Sequence, residues 1–313
     1  MGITWREARL RAREYLQHSM KNPTSIFHRV GAQMALFRRQ YERAIAEAGR
    51  AIALDPNDSD GLYSMAYVMM AVGKPEEAVE LIKRGMRLDP HNIAHPLYLF
   101  GMAHFSMGQL EEAVNLIERA LTHNPEIPRY APILSAAYAH LGRDQKARSA
   151  LRDYQKAWNW GKNLQRVMLF FPFKDPEVVD RLADGLLKAG LPGEPSGYYK
   201  FFQKNKLTGE EIRKLMFDRK VTGIRFVFGT QYWIDRTKDG EATRRVAPGT
   251  PIDYDDSGKS WIEGDTLCDQ WQIHFIGQSY CMAVFRNPDG AHEMMNEYLA
   301  ISDFEIQTFS SVD

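Results

Sequence analysis

The sequence predicts an α+β chain in two parts: an N-terminal all-α solenoid of helical repeats, then a small antiparallel β-barrel or sandwich. Three observations carry this. First, between Ser59 and Pro125 the same wording occurs twice. Asp60-Gly-Leu-Tyr-Ser-Met-Ala-Tyr67, Val72-Gly-Lys-Pro-Glu-Glu-Ala-Val79 and Met86-Arg-Leu-Asp-Pro90 return as Leu97-Tyr-Leu-Phe-Gly-Met-Ala-His104, Met107-Gly-Gln-Leu-Glu-Glu-Ala-Val114 and Leu121-Thr-His-Asn-Pro125. A period of this length, with small residues and a closing proline, marks stacked helical repeats. Second, Leu191-Pro-Gly-Glu-Pro-Ser-Gly197 has the composition of a linker. Third, beyond it the helical period gives way to short aromatic and β-branched runs split by turn residues.

The small and large positions recur beyond the two clear copies. A third copy has Leu134, Ser135, Tyr138, Gly142, Ala147 and Leu151, and a degenerate one has Ala32, Ala44, Ala51 and Leu54 before Pro56. With Leu62, Ala66, Gly73, Ala78, Ile82 and Gly85, then Leu97, Gly101, Gly108, Ala113, Ile117 and Ala120, the pattern resembles the tetratricopeptide repeat. The physical reason for the pattern is plain. Each repeat is two helices joined by a turn whose glycine takes a left-handed conformation. Small residues let the two helices approach, and the proline stops the second helix. No repeat covers its own apolar face, so stability comes from stacking.

In order, residues 4–19 read as a capping helix with Trp5, Ala8, Ala12, Tyr15, Leu16 and Met20 facing inward. Helix pairs are expected over 25–37 and 41–54, 59–72 and 75–88, 94–107 and 110–123, and 128–141 and 144–158. Asp175 is a good N-cap for a terminal helix that starts with Pro176 and ends at Gly190. Thr208 and Glu211 form a capping-box pattern for a short leading helix. Strands are expected over 221–228, 231–236, 242–247, 259–263, 266–275, 279–286, 297–301 and 304–309, with Asp239-Gly240 and Ser257-Gly258 among the turns. The domains expected are a solenoid over 1–192, a linker over 193–199 and a β-domain over 200–313. Trp233, Trp261 and Trp271 are expected in the β-domain's core, where they could also line a pocket for a small molecule or lipid.

Composition narrows the function. Lys plus Arg equals Asp plus Glu at 40 each, which argues against general nucleic-acid binding. The ends differ: residues 1–50 hold 10 bases and 4 acids, whereas 251–313 hold 12 acids and two bases, Lys259 and Arg286. Attraction between the ends, within a chain or in a homodimer, is one reading, and solvated faces of opposite sign is the plainer one. No apolar run reaches the length of a membrane span. The Arg-rich first twenty residues lack a signal-peptide core, which points to the cytoplasm; a missing upstream signal together with a disulfide would instead point to the periplasm. The two cysteines, Cys268 and Cys281, are placed for a cross-strand disulfide or for two free thiols.

Catalytic and metal motifs each fail on a specific residue. Gly258-Lys259-Ser260 resembles the end of a phosphate loop, but Asp253 stands where that loop needs glycine. Asp253-Tyr-Asp255-Asp256-Ser-Gly258 resembles half a calcium loop, but Gly264 stands where the bidentate Glu belongs. His91 and His95 straddle a link between repeats with no further ligand beside them. Neither a nucleophile elbow nor a helical zinc motif occurs. The expectation is a protein that is not an enzyme and holds no cofactor and no metal.

The resemblance to tetratricopeptide repeats implies that the first helix of each pair lines a groove for a protein or peptide partner. Carried over, the groove residues are Arg29, Gln33, Tyr63, Tyr67, Met70, His95, Tyr98, Met102, Phe105, Arg129 and His140, an aromatic and Met-rich set. A groove of about 500 Å² of apolar surface gives a gross ~12 kcal/mol, which ordering costs cut to about micromolar binding. The competing reading assigns Met70, Tyr98 and Phe105 to the inter-repeat core. More narrowly, Lys21-Asn-Pro-Thr24, Phe171-Pro-Phe-Lys-Asp-Pro176, Gly229-Thr-Gln-Tyr-Trp-Ile-Asp235 and Trp261-Ile-Glu-Gly-Asp265 resemble the repeat region and trailing domain of bacterial adenylate/guanylate cyclase-like proteins. That resemblance implies a sensory or interaction end of a signalling protein; the cyclase catalytic domain has no counterpart in the sequence.

Overall fold

A computed structural model describes residues 21–37, 39–125, 130–157, 164–193, 205–225, 230–247, 255–273, 279–286, 297–301 and 306–312. Its contacts divide the chain into two compact units, one spanning Pro23–Gly197 and one that includes Tyr198–Asp313. The capping helix expected over 4–19 lies outside the described residues.

The first unit is a stack of helix pairs: α1 (Ser25–Phe37) with α2 (Tyr41–Leu54), α3 (Ser59–Ala71) with α4 (Pro75–Leu88), α5 (Ala94–Ser106) with α6 (Leu110–His123), and α7 (Ala131–His140) with α8 (Asp144–Ala157). Local chemistry sets the boundaries. The Asp58 carboxylate caps α3 by accepting from the Asp60 amide at 3.1 Å, and Pro75 opens α4. Gly73, Gly108 and Gly142 turn the chain within their pairs at φ of +86°, +76° and +71°, a region that side chains resist. The two helices of a pair differ in character. Second helices are amphipathic, with short buried stripes such as Ala78, Ile82 and Gly85 in α4. First helices are apolar on nearly every side, and in α7 every residue from Ala131 to Ala139 is buried.

Two further helices close this unit. The sequence shows a loss of period after Trp158, and the structure places α9 (Leu164–Leu169) there, followed by α10 (Pro176–Lys188). Asp175 caps α10 by accepting from the Glu177 amide at 2.9 Å. The segment runs back along the first helices. Gly185 sits on α7 so closely that a Cβ would come within 2.7 Å of the Ala136 Cα. Arg181 Nη1 donates to the carbonyls of Phe105 and Ser106 at 3.0 Å each. The Lys174 amide donates to the Ala71 carbonyl at 2.7 Å, and Arg39 Nη2 donates to the Met168 carbonyl at 3.3 Å. The terminal segment therefore does more than end the stack: it covers the C-terminal ends of α3, α5 and α7.

The second unit opens with α11 (Gly209–Met216), held by a capping box in which Thr208 Oγ1 accepts from the Glu211 amide and Glu211 Oε2 accepts from the Thr208 amide. Eight antiparallel strands follow: β1 (Arg219–Arg225), β2 (Thr230–Arg236), β3 (Glu241–Val246), β4 (Asp256–Glu263), β5 (Thr266–Trp271), β6 (Ser279–Arg286), β7 (Tyr298–Ile301) and β8 (Ile306–Val312). Each pairs with the next, and β8 returns to β1 with Phe309 opposite Gly223, so the sheet is a closed barrel. Closure removes the exposed edges that a sandwich would leave.

Period-two alternation decides what fills the barrel. Tyr232, Ile234, Trp271, Met282, Val284 and Phe309 point inward and are buried. A polar set shares the interior: Arg236 donates to Ser260 Oγ at 2.8 Å and to both oxygens of Asp269 at 3.0 and 3.2 Å. The same alternation corrects the expectation for the tryptophans. Trp271 alone of the three is inside. Trp233 lies between inward Tyr232 and Ile234, Trp261 lies between inward Ser260 and Ile262, and both are half-buried on the outer face. The cysteines are directly opposed in register on β5 and β6 and are joined by a disulfide.

Candidate functional site: a groove on the first helices

The first helices do more than fill the core. Along one face they leave a groove of about 640 Å³. Arg29, Val30, Gln33 and Met34 come from α1; Asp60, Tyr63, Ser64 and Tyr67 from α3; His95, Tyr98 and Leu99 from α5; Pro132 from α7. Tyr154 of α8 and Phe170 and Phe171, which follow α9, close the far wall. Helical spacing explains the set: Tyr63 and Tyr67, one turn apart, present one face of α3, and Tyr98 presents the matching face of α5.

Six of the residues expected from the sequence are therefore together: Arg29, Gln33, Tyr63, Tyr67, His95 and Tyr98. Met70, Met102 and Phe105 are not in the groove. They are buried in the core, at the ends of the first helices that the returning α10 segment covers. His140 is also elsewhere: it lines a separate, shallow pocket with Leu110, Asp180, Arg181 and Asp184, and its Nε2 lies 2.7 Å from the Arg181 carbonyl. A carbonyl only accepts, so Nε2 carries the proton. Arg129 lies outside the described residues. Sequence reasoning missed Val30, Met34, Asp60, Ser64, Leu99 and Pro132, neighbours of expected positions that one more turn of the same helices would have supplied. It also missed Tyr154, Phe170 and Phe171, which no repeat register marks.

The walls are preorganised. Tyr98 stacks on Tyr130 with ring centres 4.0 Å apart and planes 14° from parallel. Tyr63 meets His95 edge to face at 5.7 Å and 87°. Arg29 Nη1 is held by Asp58 Oδ2 at 3.0 Å and Asp60 Oδ2 at 2.9 Å, so its charge is already balanced. The Tyr67 hydroxyl donates to the Phe170 carbonyl at 3.1 Å. The Tyr63 hydroxyl differs: it is buried and has no hydrogen-bond partner among the described residues. Burial first, and then the nearby negative charges of Asp89 and Asp60, push its pKa up to about 12. It is a neutral donor at any physiological pH. The lining thus offers aromatic faces to a bound molecule.

Two family models match the chain: one for the anaphase-promoting complex, cyclosome, subunit 3, over residues 37–120, and one for the tetratricopeptide repeat over residues 98–159. The first unit is thus a solenoid similar to tetratricopeptide repeats, and the second is a closed eight-stranded barrel. No curated protein matches. Among solved structures, the chain is similar to MamA at 23% identity and a TM-score of 0.34, over 48% of this chain and 86% of that one. It is similar to PilW, a type IV pilus biogenesis factor, at 13% identity and a TM-score of 0.43, over 63% and 84%. It is also similar to YrrB, called a TPR protein with an unusual peptide-binding site, at 18% identity and a TM-score of 0.34, over 59% and 91%. Among the described residues, no helix is long and apolar enough to cross a membrane.

Proposed function

We propose that this protein is a non-enzymatic interaction module that docks an extended segment of a partner protein in the groove between α1, α3 and α5. The observation that carries this reading is the groove of about 640 Å³ itself, walled by the aromatic rings of Tyr67, Tyr98, Phe170 and Phe171. The chain's own Phe170 makes one main-chain contact of this kind: its carbonyl accepts from the Tyr67 hydroxyl in the groove wall. The partner segment carries apolar or aromatic side chains for the Tyr98 and Phe171 faces and needs no net charge, since Arg29 is already paired. With Met70, Met102 and Phe105 in the core, the surface offered is smaller than the sequence suggested, and the affinity is correspondingly weaker.

A place for this module at the regulatory end of a nucleotide-cyclase-like signalling protein rests on sequence wording alone; neither matched family model is a cyclase model. The disulfide favours an oxidising compartment such as the periplasm over the cytoplasm. The test of docking is selection of displayed random peptides on the full chain. Expected are apolar or aromatic peptides whose binding weakens on Tyr67→Ala and Met34→Ala, variants at half-buried positions. Selected peptides whose binding ignores both substitutions would remove the groove from the account.

A further inference from the structure

The outer face of the barrel carries a second site, remote in chemistry from the groove. Cys268 on β5 and Cys281 on β6 are register partners, so their side chains leave the sheet side by side. Glu263 ends β4, on the strand that neighbours β5 on its other side, and alternation puts it on the same outer face. The donor atoms of Glu263, Cys268 and Cys281 all lie within 4.8 Å of one another. Glu263 Oε2 is 3.8 Å from Cys268 Sγ. The β4–β5 hairpin fixes that approach: Thr266 Oγ1 donates to the Glu263 carbonyl at 2.6 Å and lies 3.9 Å from Cys268 Sγ. Cys268 is fully buried, whereas Glu263 and Cys281 are exposed, so the cluster has a dry floor and an open mouth.

We propose that, when the Cys268–Cys281 disulfide is reduced, Glu263, Cys268 and Cys281 bind one thiophilic divalent cation of the zinc class, with water in the fourth position. The carboxylate-to-sulfur spacing matches, and the two sulfurs, bonded to each other in the disulfide, move apart on reduction. A tetrahedral zinc about 2.3 Å from a thiolate and about 2.1 Å from a carboxylate oxygen sets sulfur and oxygen about 3.6 Å apart. The Sγ–Oε2 separation of 3.8 Å is within a few tenths of an ångström of that. Two soft thiolates with one carboxylate form a donor set that suits zinc and cadmium and disfavours calcium or magnesium. The reduction consumes two electrons. A phosphine supplies them, the S–S bond breaks, each sulfur leaves as a thiol, and the phosphine takes oxygen from water to become its oxide. Cation binding then releases the two thiol protons to solvent. In the oxidised chain both sulfurs are committed to each other and the thiolates do not exist, so disulfide and cation exclude one another.

The experiment titrates the full-length chain with cadmium, with and without prior phosphine reduction, and reads the ultraviolet thiolate-to-cadmium charge-transfer band. Circular dichroism monitors the fold throughout. The expected result is one equivalent of cadmium in the reduced chain, displaced by zinc, and no band in the oxidised chain. The Cys268→Ser, Cys281→Ser double variant should lose the band. Glu263→Gln leaves both thiols in place and should keep the band while weakening the affinity at least about tenfold, the size of effect seen even for groups behind the ligands. The proposal is overturned by a reduced, folded chain without the band, by equal binding in the oxidised chain or the double variant, or by a reduced barrel that melts without taking up cadmium. Unchanged affinity in Glu263→Gln would overturn the carboxylate's place in the set.

Discussion

Replacing Tyr63 by Phe removes one oxygen from the wall of the groove and leaves the ring where it is. The ring is held by its surroundings: a Cβ added at Gly85 would come within 2.5 Å of Tyr63 Cε1, so ring and helix are already in contact. The hydroxyl, by contrast, is buried without a partner among the described residues. A buried polar group left unpaired costs about 1–3 kcal/mol, so its deletion should leave stability unchanged or raise it by about 1 kcal/mol. For a unit of this size that corresponds to a rise of about 2–4 °C in Tm. The same substitution should leave the affinity of a groove-selected peptide unchanged, because the hydroxyl is inaccessible to a ligand. Urea unfolding reads the first effect as a shift in midpoint at constant slope, and fluorescence polarisation reads the second. Stability unchanged or raised, with affinity unchanged, is the expected result. A Tyr63→Phe variant that is less stable by about 1 kcal/mol or more shows that the hydroxyl was already satisfied within the fold, and the account of it as an unpaired donor then fails.

Two further outcomes follow from packing and ionisation. Gly185→Ala places a methyl 2.7 Å from the Ala136 Cα and Cβ, backbone as well as side chain, so α10 must lift from α7; a loss of about 1–3 kcal/mol is expected in urea unfolding. In alkali, Tyr63 and Tyr154 resist ionisation, both held up to about 12 from the ordinary 10.0, in each case first by burial. Their unfolded forms lose the proton near pH 10, so stability is intact below that and falls as pH rises towards about 12. For the deeply buried Tyr154 alone the loss approaches about 2–3 kcal/mol, and a urea midpoint unchanged between neutral pH and about pH 11 would contradict it.

Much of the fold was legible because its signals are local. Turn glycines with positive φ, the N-cap Asp175, the capping box at Thr208 and strands bounded by turn residues all act within a few residues of themselves. The groove was legible in part, since repeat register places Tyr63, Tyr67, His95 and Tyr98 on one face. Register does not say where on that face the chain itself will lie. Met70, Met102 and Phe105 share the periodicity of the groove tyrosines, yet the ends of their helices are covered by the segment that includes Lys174 and Arg181. The tryptophans failed for a related reason. A one-residue difference in strand parity separates Trp271 inside the barrel from Trp233 and Trp261 outside it, and aromatic content is silent on parity.

The sequence by itself determined the kinds of element, their order, and the division into a helical stack and a β-domain, because periodicity, capping and turn chemistry depend on neighbours along the chain. The tertiary structure alone decided that the sheet closes and that the α10 segment folds back over the C-terminal ends of the first helices. Those outcomes depend on contacts between residues far apart in sequence, where volume and strand register, rather than local preference, choose which side chains meet.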